Sequence, residues 1–268
     1  MPFLTCGLSR RFFSTTRTGL QRVVCPPPQF RTWEDMIQPL RALSAKEGQF
    51  GIQFHQIWSG IHELSLFNGG GFFDDPIYPT KANLNDPRTL KTAEFWVNLV
   101  TQDRVAGGSF ADGTAAMNWT WWGNKGVWGP RPFAYDMVPT PTGPDAGSSA
   151  DYPAASANLS IASVSKNPEA SLKWIKFLLS PRMMKLATVD GAGVPTRRSV
   201  ALEPEWLSAD GMNNAVALAP LATAVPQNPF TPAWEEIRHL LEPEINAAFA
   251  GEKSIVSVLT SLNDQVDA

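Results

Sequence analysis

The sequence predicts an α/β fold, and three observations carry that reading. Short apolar runs bounded by Gly, Pro, Asn or Asp alternate with longer segments of helical apolar spacing. Three of the longer segments open with a polar residue followed by proline, Asp86-Pro87, Asn167-Pro168 and Thr231-Pro232, the pairing that starts helices. The chain has 268 residues, 43% hydrophobic and 18% charged, which is enough apolar material for a sizeable core and one or two domains.

The elements follow in order. Residues 1–31 differ from the rest: they hold Arg10, Arg11, Arg17, Arg22 and Arg31, several Ser and Thr, and no acid. The composition resembles a mitochondrial presequence and lacks the apolar centre of a secretory signal. A truncated or shifted reading frame that rejoins near Pro26 is the second explanation, and no core is assigned here. Thr32-Trp33-Glu34-Asp35 is a capping-box start. Trp33, Met36, Ile37, Leu40 and Leu43 then recur at helical spacing, with Pro39 expected to kink the helix. Residues 51–54 read as a strand and 57–67 as a helix with Ile61, Leu64 and Phe67 on one face. Asn68-Gly69-Gly70-Gly71 forces a tight turn or a close backbone approach. It lacks the Lys-Ser/Thr of a phosphate loop and the spacing of a dinucleotide fingerprint. Phe72-Phe73-Asp74-Asp75-Pro76 reads as strand and turn.

Asp86 caps a helix whose stripe is Leu90, Ala93, Val97 and Val100, widened by Trp96 and ending near Arg104. Residues 133–139 and 158–164 read as strands, separated by a loop rich in Pro, Gly and Ser. The helix after Asn167 places Trp174, Ile175, Phe177 and Leu178 inward, and Pro181 ends it. A short helix over 182–189 and an extended loop through Arg198 follow. After a Pro-punctuated stretch over 203–229, a long helix runs to Phe249, with Trp234, Ile237, Leu241, Ile245 and Ala248 inside and Gly251 as its stop. The last helix, over 254–266, buries Ile255, Val258, Leu259 and Leu262.

The stretch 110–123 is chemically the most informative. Asp112-Gly113 turns the chain and Ala115 to Met117 starts a buried strand. Trp119, Trp121 and Trp122 end it, with Trp128 beyond; the chain holds 10 Trp against 3 Tyr. Flat apolar rings stack on the C–H faces of sugars while neighbouring polar groups bond the hydroxyls. Aromatics also fill cores, and spacing alone leaves both readings open.

Composition excludes several classes. The formal charge is −3 with no basic block, so nothing points to nucleic acid or an anionic membrane surface. No apolar run reaches the roughly 18 residues of a membrane span. Cys6 and Cys25 make neither a disulfide framework nor a metal site, whether they pair or stay free thiols. His55, His62 and His239 are too scattered for a metal centre, even with Glu63 beside His62. No cofactor is expected.

The order of motifs is a further observation. Thr-Trp-Glu-Asp-Met comes first, then Asn-Gly-Gly-Gly-Phe, then Phe-x-x-Gly-x-Ala-Ala-Met. A Pro-x-Pro-x-Gly loop, Ser-Lys-Asn-Pro-Glu-Ala-Ser-Leu-Lys-Trp-Ile-Lys-Phe-Leu, Gly-Val-Pro-Thr-Arg and Gly-Glu-Lys-Ser complete it. From about Pro26 onward the series resembles the extracellular solute-binding proteins of bacterial ABC importers, of the sugar-binding type similar to maltose-binding protein. The resemblance implies a periplasmic-binding-protein-like fold of two α/β lobes with the ligand between them. It implies that residues 32–163 and 230–268 form one largely complete lobe. Residues 164–229 would be a remnant of the other, which is only partly present. Periplasmic or extracellular residence and importer permease subunits as partners are implied too, although no signal peptide is read in this chain.

Carried onto matching positions, the resemblance makes Trp121 and Trp122 stacking residues, with Asn118 and Asp112 as polar neighbours. Trp58 is placed to face the cleft, though it also suits the core. Asn158 is placed to bond a hydroxyl at the hinge and Arg197 to reach a hydroxyl or carboxylate. For Trp121 to leave Trp119's side of the strand, the strand must end or bend near Thr120. The apolar face of the helix after Asn167 would be exposed if its partner strands are missing. The alternatives are a glycoside hydrolase, for which Asp74/Asp75 and Glu235/Glu236 are the adjacent acids, and a non-functional truncated product.

Overall fold

The computed structural model describes residues 2–7, 30–54, 57–121, 133, 135–147, 150–189, 191, 193–209 and 213–267. Four strands form one sheet: β1 (Pro2–Gly7), β2 (Phe50–Gln53), β3 (Ala115–Trp121) and β4 (Tyr135–Val138), in the order β2-β3-β1-β4. β2 runs parallel to β3, while β1 is antiparallel to both β3 and β4. The first strand corrects the expectation for residues 1–31. Phe3-Leu4-Thr5-Cys6 is a short run of strand-favouring residues, and it lies inside the sheet, bonded on both sides.

Thr32 and Asp35 start the first helix as the capping pattern predicts: Asp35 Oδ2 accepts from the Thr32 and Arg31 amides, each at 3.0 Å. Trp33–Met36 is a 3₁₀ turn that passes into α1 (Ile37–Leu43). Pro39 therefore lies in the first turn of α1, where its missing N–H has no helical partner to lose, and the change of helix type takes the place of a kink. A Cβ on Gly51 would come within 2.7 Å of the Leu40 carbonyl oxygen, so β2 packs against α1 only with glycine there.

α2 (Trp58–Leu66) and α3 (Pro87–Thr101) pack on each other, and both pack on α8 (Trp234–Phe249). α3 begins as read: Asp86 Oδ1 accepts from the Arg88 and Thr89 amides at 2.8 and 3.4 Å. α8 stops at Gly251, whose φ of +78° suits glycine. α9 (Ile255–Asp267) closes the layer against α3 and α8. The resulting core joins Ile52, Met117 and Trp119 of the sheet to Trp33, Leu40, Ile61, Trp96, Leu241 and Leu259. Each fully buried leucine here stabilises by about 1.5–3 kcal/mol relative to exposure.

The chain leaves this core through β5 (Tyr152–Ala154) and returns through β6 (Ala224–Pro226), which pair in parallel. Between them lie α4 (Pro168–Leu178), α5 (Pro181–Val189), α6 (Arg198–Ala201) and α7 (Pro204–Leu207). Trp206 and Ala217 form a second apolar cluster with Met137 of β4. Two readings in this part are corrected. Residues 158–164 form no strand and are nearly all exposed, since no described strand lies beside them to take their backbone bonds. α4 buries none of its residues: Trp174 and Phe177 stack on each other at 5.3 Å, 59% and 49% exposed. The inward face read from its periodicity is real as a pattern, but nothing described covers it. Among the described residues no helix is long and apolar enough to cross a membrane, and no cluster of metal-ligating side chains occurs.

Candidate functional site

The structure scatters the expected site residues. β3 runs through Thr120 and ends at Trp121, one residue beyond the position where an end or bend was required. Trp119 and Trp121 share a side by alternation; Trp119 is core and Trp121, at the strand's end, is half-buried. Trp122 and Trp128 lie outside the described residues, as does His55. Asn118 is buried mid-sheet, paired with Thr5 on one side and Gln53 on the other. Asp112 is exposed on the turn before β3, separated from Trp121 by the strand's length, about 20 Å at 3.3 Å per residue.

Trp58 takes the core alternative, 6% exposed with its ring 5.1 Å from that of Trp234. Asn158 is exposed and accepts from Ser156 Oγ at 3.1 Å. Arg197 Nε donates to the Leu179 carbonyl at 2.6 Å, which satisfies an end group of α4 and holds a loop. The polar cluster that the fold builds is made by residues outside the expected set.

That cluster starts on α2. A nine-residue helix with Trp58, Ile61, Leu64 and Leu66 buried has little face left for solvent, so His62 and Glu63 are carried inside, each 2% exposed. His62 Nδ1 accepts from the Phe72 amide at 3.2 Å, which ties α2 to the turn after the three glycines. Burial pushes the imidazole down to about 4, partly opposed by the Gln227 backbone. The cost of burying a charge drives this.

Glu63 shows the same physics with the opposite sign. Burial raises its carboxyl to about 8, against the bond from Gln227 that favours its charged form. Gln227 Nε2 donates to Glu63 Oε1 at 2.6 Å, while Oε2 has no hydrogen-bond partner among the described residues. The Gln227 amide donates to Ala154 at 2.9 Å, so this residue is fixed at the end of the β5–β6 pair. At neutral pH the Glu63 side chain is thus a neutral acid joining α2 to the chain just after β6 through Gln227.

A group of rings lies along α2 and the elements packed on it. Trp234, half-buried at the start of α8, meets Trp58 at 5.1 Å and Phe73 at 6.3 Å. His62 lies 5.8 Å from Phe73 and 5.1 Å from Phe72. Further out, exposed Tyr78 and Phe230 face each other at 5.8 Å, their loops held by Phe230 N donating to the Ile77 carbonyl at 2.8 Å.

Sequence reasoning weighed Glu63 only for a metal site and Trp234 only as core, and did not single out Gln227. The usable signal was that Glu63 sits in a helix whose other positions are apolar, small or His62, with no second charged residue to mark a solvent face.

The acids expected for a hydrolase are engaged elsewhere. Asp74 Oδ1 accepts from the amides of Asp75, Thr80 and Lys81, and Oδ2 from Thr80 Oγ1 at 2.7 Å. These bonds, led by the Thr80 hydroxyl, hold its pKa near 2. Asp75 Oδ1 accepts from Ile77 and Tyr78. Glu235 is exposed and pairs with Arg238 at 2.7 Å, a solvated helix face; Glu236 is exposed too.

The described residues form an α/β core that the chain leaves through β5 and re-enters through β6, with a buried acid bonded where it returns. The chain belongs to the bacterial extracellular solute-binding protein family, whose pattern matches residues 23–185, more than half of its length. No curated relative matches it. Among solved structures it is similar to an ABC substrate-binding protein of Listeria monocytogenes in complex with cycloalternan. That match has 16% identity and a TM-score of 0.75, over 99% of this chain and 68% of that one. The maltose-bound MalE3 of T. maritima matches at 17% identity and TM-score 0.75, over 99% and 69%. A solute-binding protein of Agrobacterium radiobacter K84 in complex with ribitol matches at 19% and 0.75, over 99% and 68%. The fold is therefore periplasmic-binding-protein-like, and about a third of each of these relatives has no counterpart in this chain.

Proposed function

We propose that this protein is a substrate-capture component of an ABC importer that holds a sugar or polyol, and not a catalyst. The observation that carries the reading is the half-buried indole of Trp121 at the end of β3, the one expected stacking ring that the described residues include. Family membership supports it, and so do the cycloalternan, maltose and ribitol held by the structural relatives. In this reading residues 32–163 and 230–268 form one lobe and 164–229 belong to the other. The solute lies near the β5–β6 crossover, Trp122 adds a second ring, and importer permease subunits outside the cytoplasm receive the complex.

The test is intrinsic tryptophan fluorescence titrated with maltose, ribitol and a wider sugar panel. A saturable shift that Trp121→Phe abolishes is expected. No response to any sugar, in protein shown to be folded by circular dichroism, overturns the reading. Turnover of an aryl glycoside that disappears in Glu63→Gln would replace it with a hydrolase.

A further inference from the structure

β5 and β6 lead the chain out to α4–α7 and back, and their pairing is thin. Each has three residues, joined as Tyr152↔Ala224, Pro153↔Val225 and Ala154↔Pro226. Pro153 and Pro226 bring no N–H to the ladder. Burial of one face normally fixes a strand's register, yet none of Ala224, Val225 and Pro226 is fully buried. So short a pair carries little of its own to prevent a slip by one residue.

α2 supplies a constraint from outside the pair. Residues 63, 66 and 67 stand at i, i+3 and i+4, on one side of that helix and its cap. For the outgoing strand, the Leu66 carbonyl accepts from the Asp151 amide at 3.2 Å and the Phe67 ring meets that of Tyr152 edge-on at 4.9 Å. For the returning strand, Glu63 Oε1 accepts from Gln227 Nε2 at 2.6 Å, and the Gln227 amide donates to the Ala154 carbonyl at 2.9 Å. Gln227 thus makes two directional bonds, one to α2 and one to β5. At 2% exposure Glu63 has no solvent to compete for its bond. A slip of one residue moves β6 by about 3.3 Å and brings Pro226 or Asn228 to Glu63. Proline has no side-chain donor, and asparagine is a methylene shorter than glutamine.

We propose that Glu63 is a positioning residue: its bond to Gln227 pins the register of β6 on β5, and with it the placement of α4–α7 on the core. The inference goes beyond solute capture and requires no sugar to bind. A Glu63 that merely filled space would stabilise the core evenly and favour no register.

Hydrogen exchange of single amides, followed by NMR, separates the two. The residue 227 amide is compared with those of Val97 and Leu99 in α3, which report opening of the core. In Glu63→Gln, whose amide oxygen still accepts, the ratio of these rates should stay within about threefold of wild type. In Glu63→Leu, which offers no acceptor, residue 227 should exchange at least about tenfold faster relative to α3, as expected for loss of a buried bond. The nuclear Overhauser contact between Pro153 and Val225 should persist in Glu63→Gln and weaken by more than half in Glu63→Leu. If Glu63→Leu does not fold, Gln227→Leu carries the same comparison, since residue 227 keeps its backbone amide. A wild-type ratio or an undiminished Pro153–Val225 contact in the folded variant overturns the proposal. An equal loss in Glu63→Gln overturns it too, because the acceptor is then not what holds the strand.

Discussion

Glu63 and His62 are adjacent, equally buried and shifted in opposite senses, which makes the pH dependence of stability a sharp test of the site. Above its ordinary value of 4.5 an unfolded Glu63 has lost its proton, whereas the folded one keeps it up to about 8. Over that interval the folded state binds more protons, so stability falls as pH rises. Folded His62 titrates near 4 and unfolded His62 at 6.5. Between these values the unfolded state binds more protons, so stability rises with pH. Each contribution is about 1.4 kcal/mol per pH unit.

From 4.5 to 6.5 the two nearly cancel. From 6.5 to 8 only Glu63 remains, and stability falls by about 2 kcal/mol, from the 1.5-unit interval. In urea this lowers the midpoint by about 1 M for a slope of about 2 kcal/mol/M. Glu63→Gln should be flat from 6.5 to 8. His62→Asn, whose amide oxygen can replace Nδ1 as acceptor for Phe72, should convert the plateau below 6.5 into a continuous decline. A wild-type midpoint that does not move between pH 6.5 and 8, or an equal fall in Glu63→Gln, would refute the argument.

Asp86→Ala should cost about 1 kcal/mol in urea denaturation, because two first-turn amides of α3 lose their acceptor. Trp174→Ser with Phe177→Ser should lower concentration-dependent light scattering without moving the urea midpoint, since α4 buries neither ring. Arg197→Ala should cost about 1 kcal/mol by freeing the Leu179 carbonyl and leave maltose and ribitol affinity unchanged; a tenfold loss would return Arg197 to the solute.

Much of the helical framework was legible because its signals are local. Asp86-Pro87 and Gly251 mark their helix ends through a few consecutive residues, and both stand where read. β1 was not legible, because pairing Pro2–Gly7 with β3 and β4 depends on residues more than a hundred positions away. Residues 158–164 alternate as a strand should, yet a strand exists only beside a partner, which periodicity cannot supply. At the site, Trp121 was marked by its strand position. Glu63 and His62 were hidden by the usual expectation that polar residues of a helix face water. Only the packing of α3, α8 and the Phe72–Phe73 turn around α2 places them inside.

The late position of α9 has a consequence for how the protein is made. Asn263 Oδ1 accepts from the Leu84 amide at 3.0 Å and Asp267 Oδ1 from Ala82 at 2.6 Å, while Leu259 and Leu262 fill the core laid down by residues 33–119. A nascent chain on the ribosome therefore holds Trp33, Trp96 and Trp119 without their covering layer until α9 emerges. Contacts spanning this much sequence are slow to form, and the unfinished intermediate offers apolar surface to any chaperone that meets it.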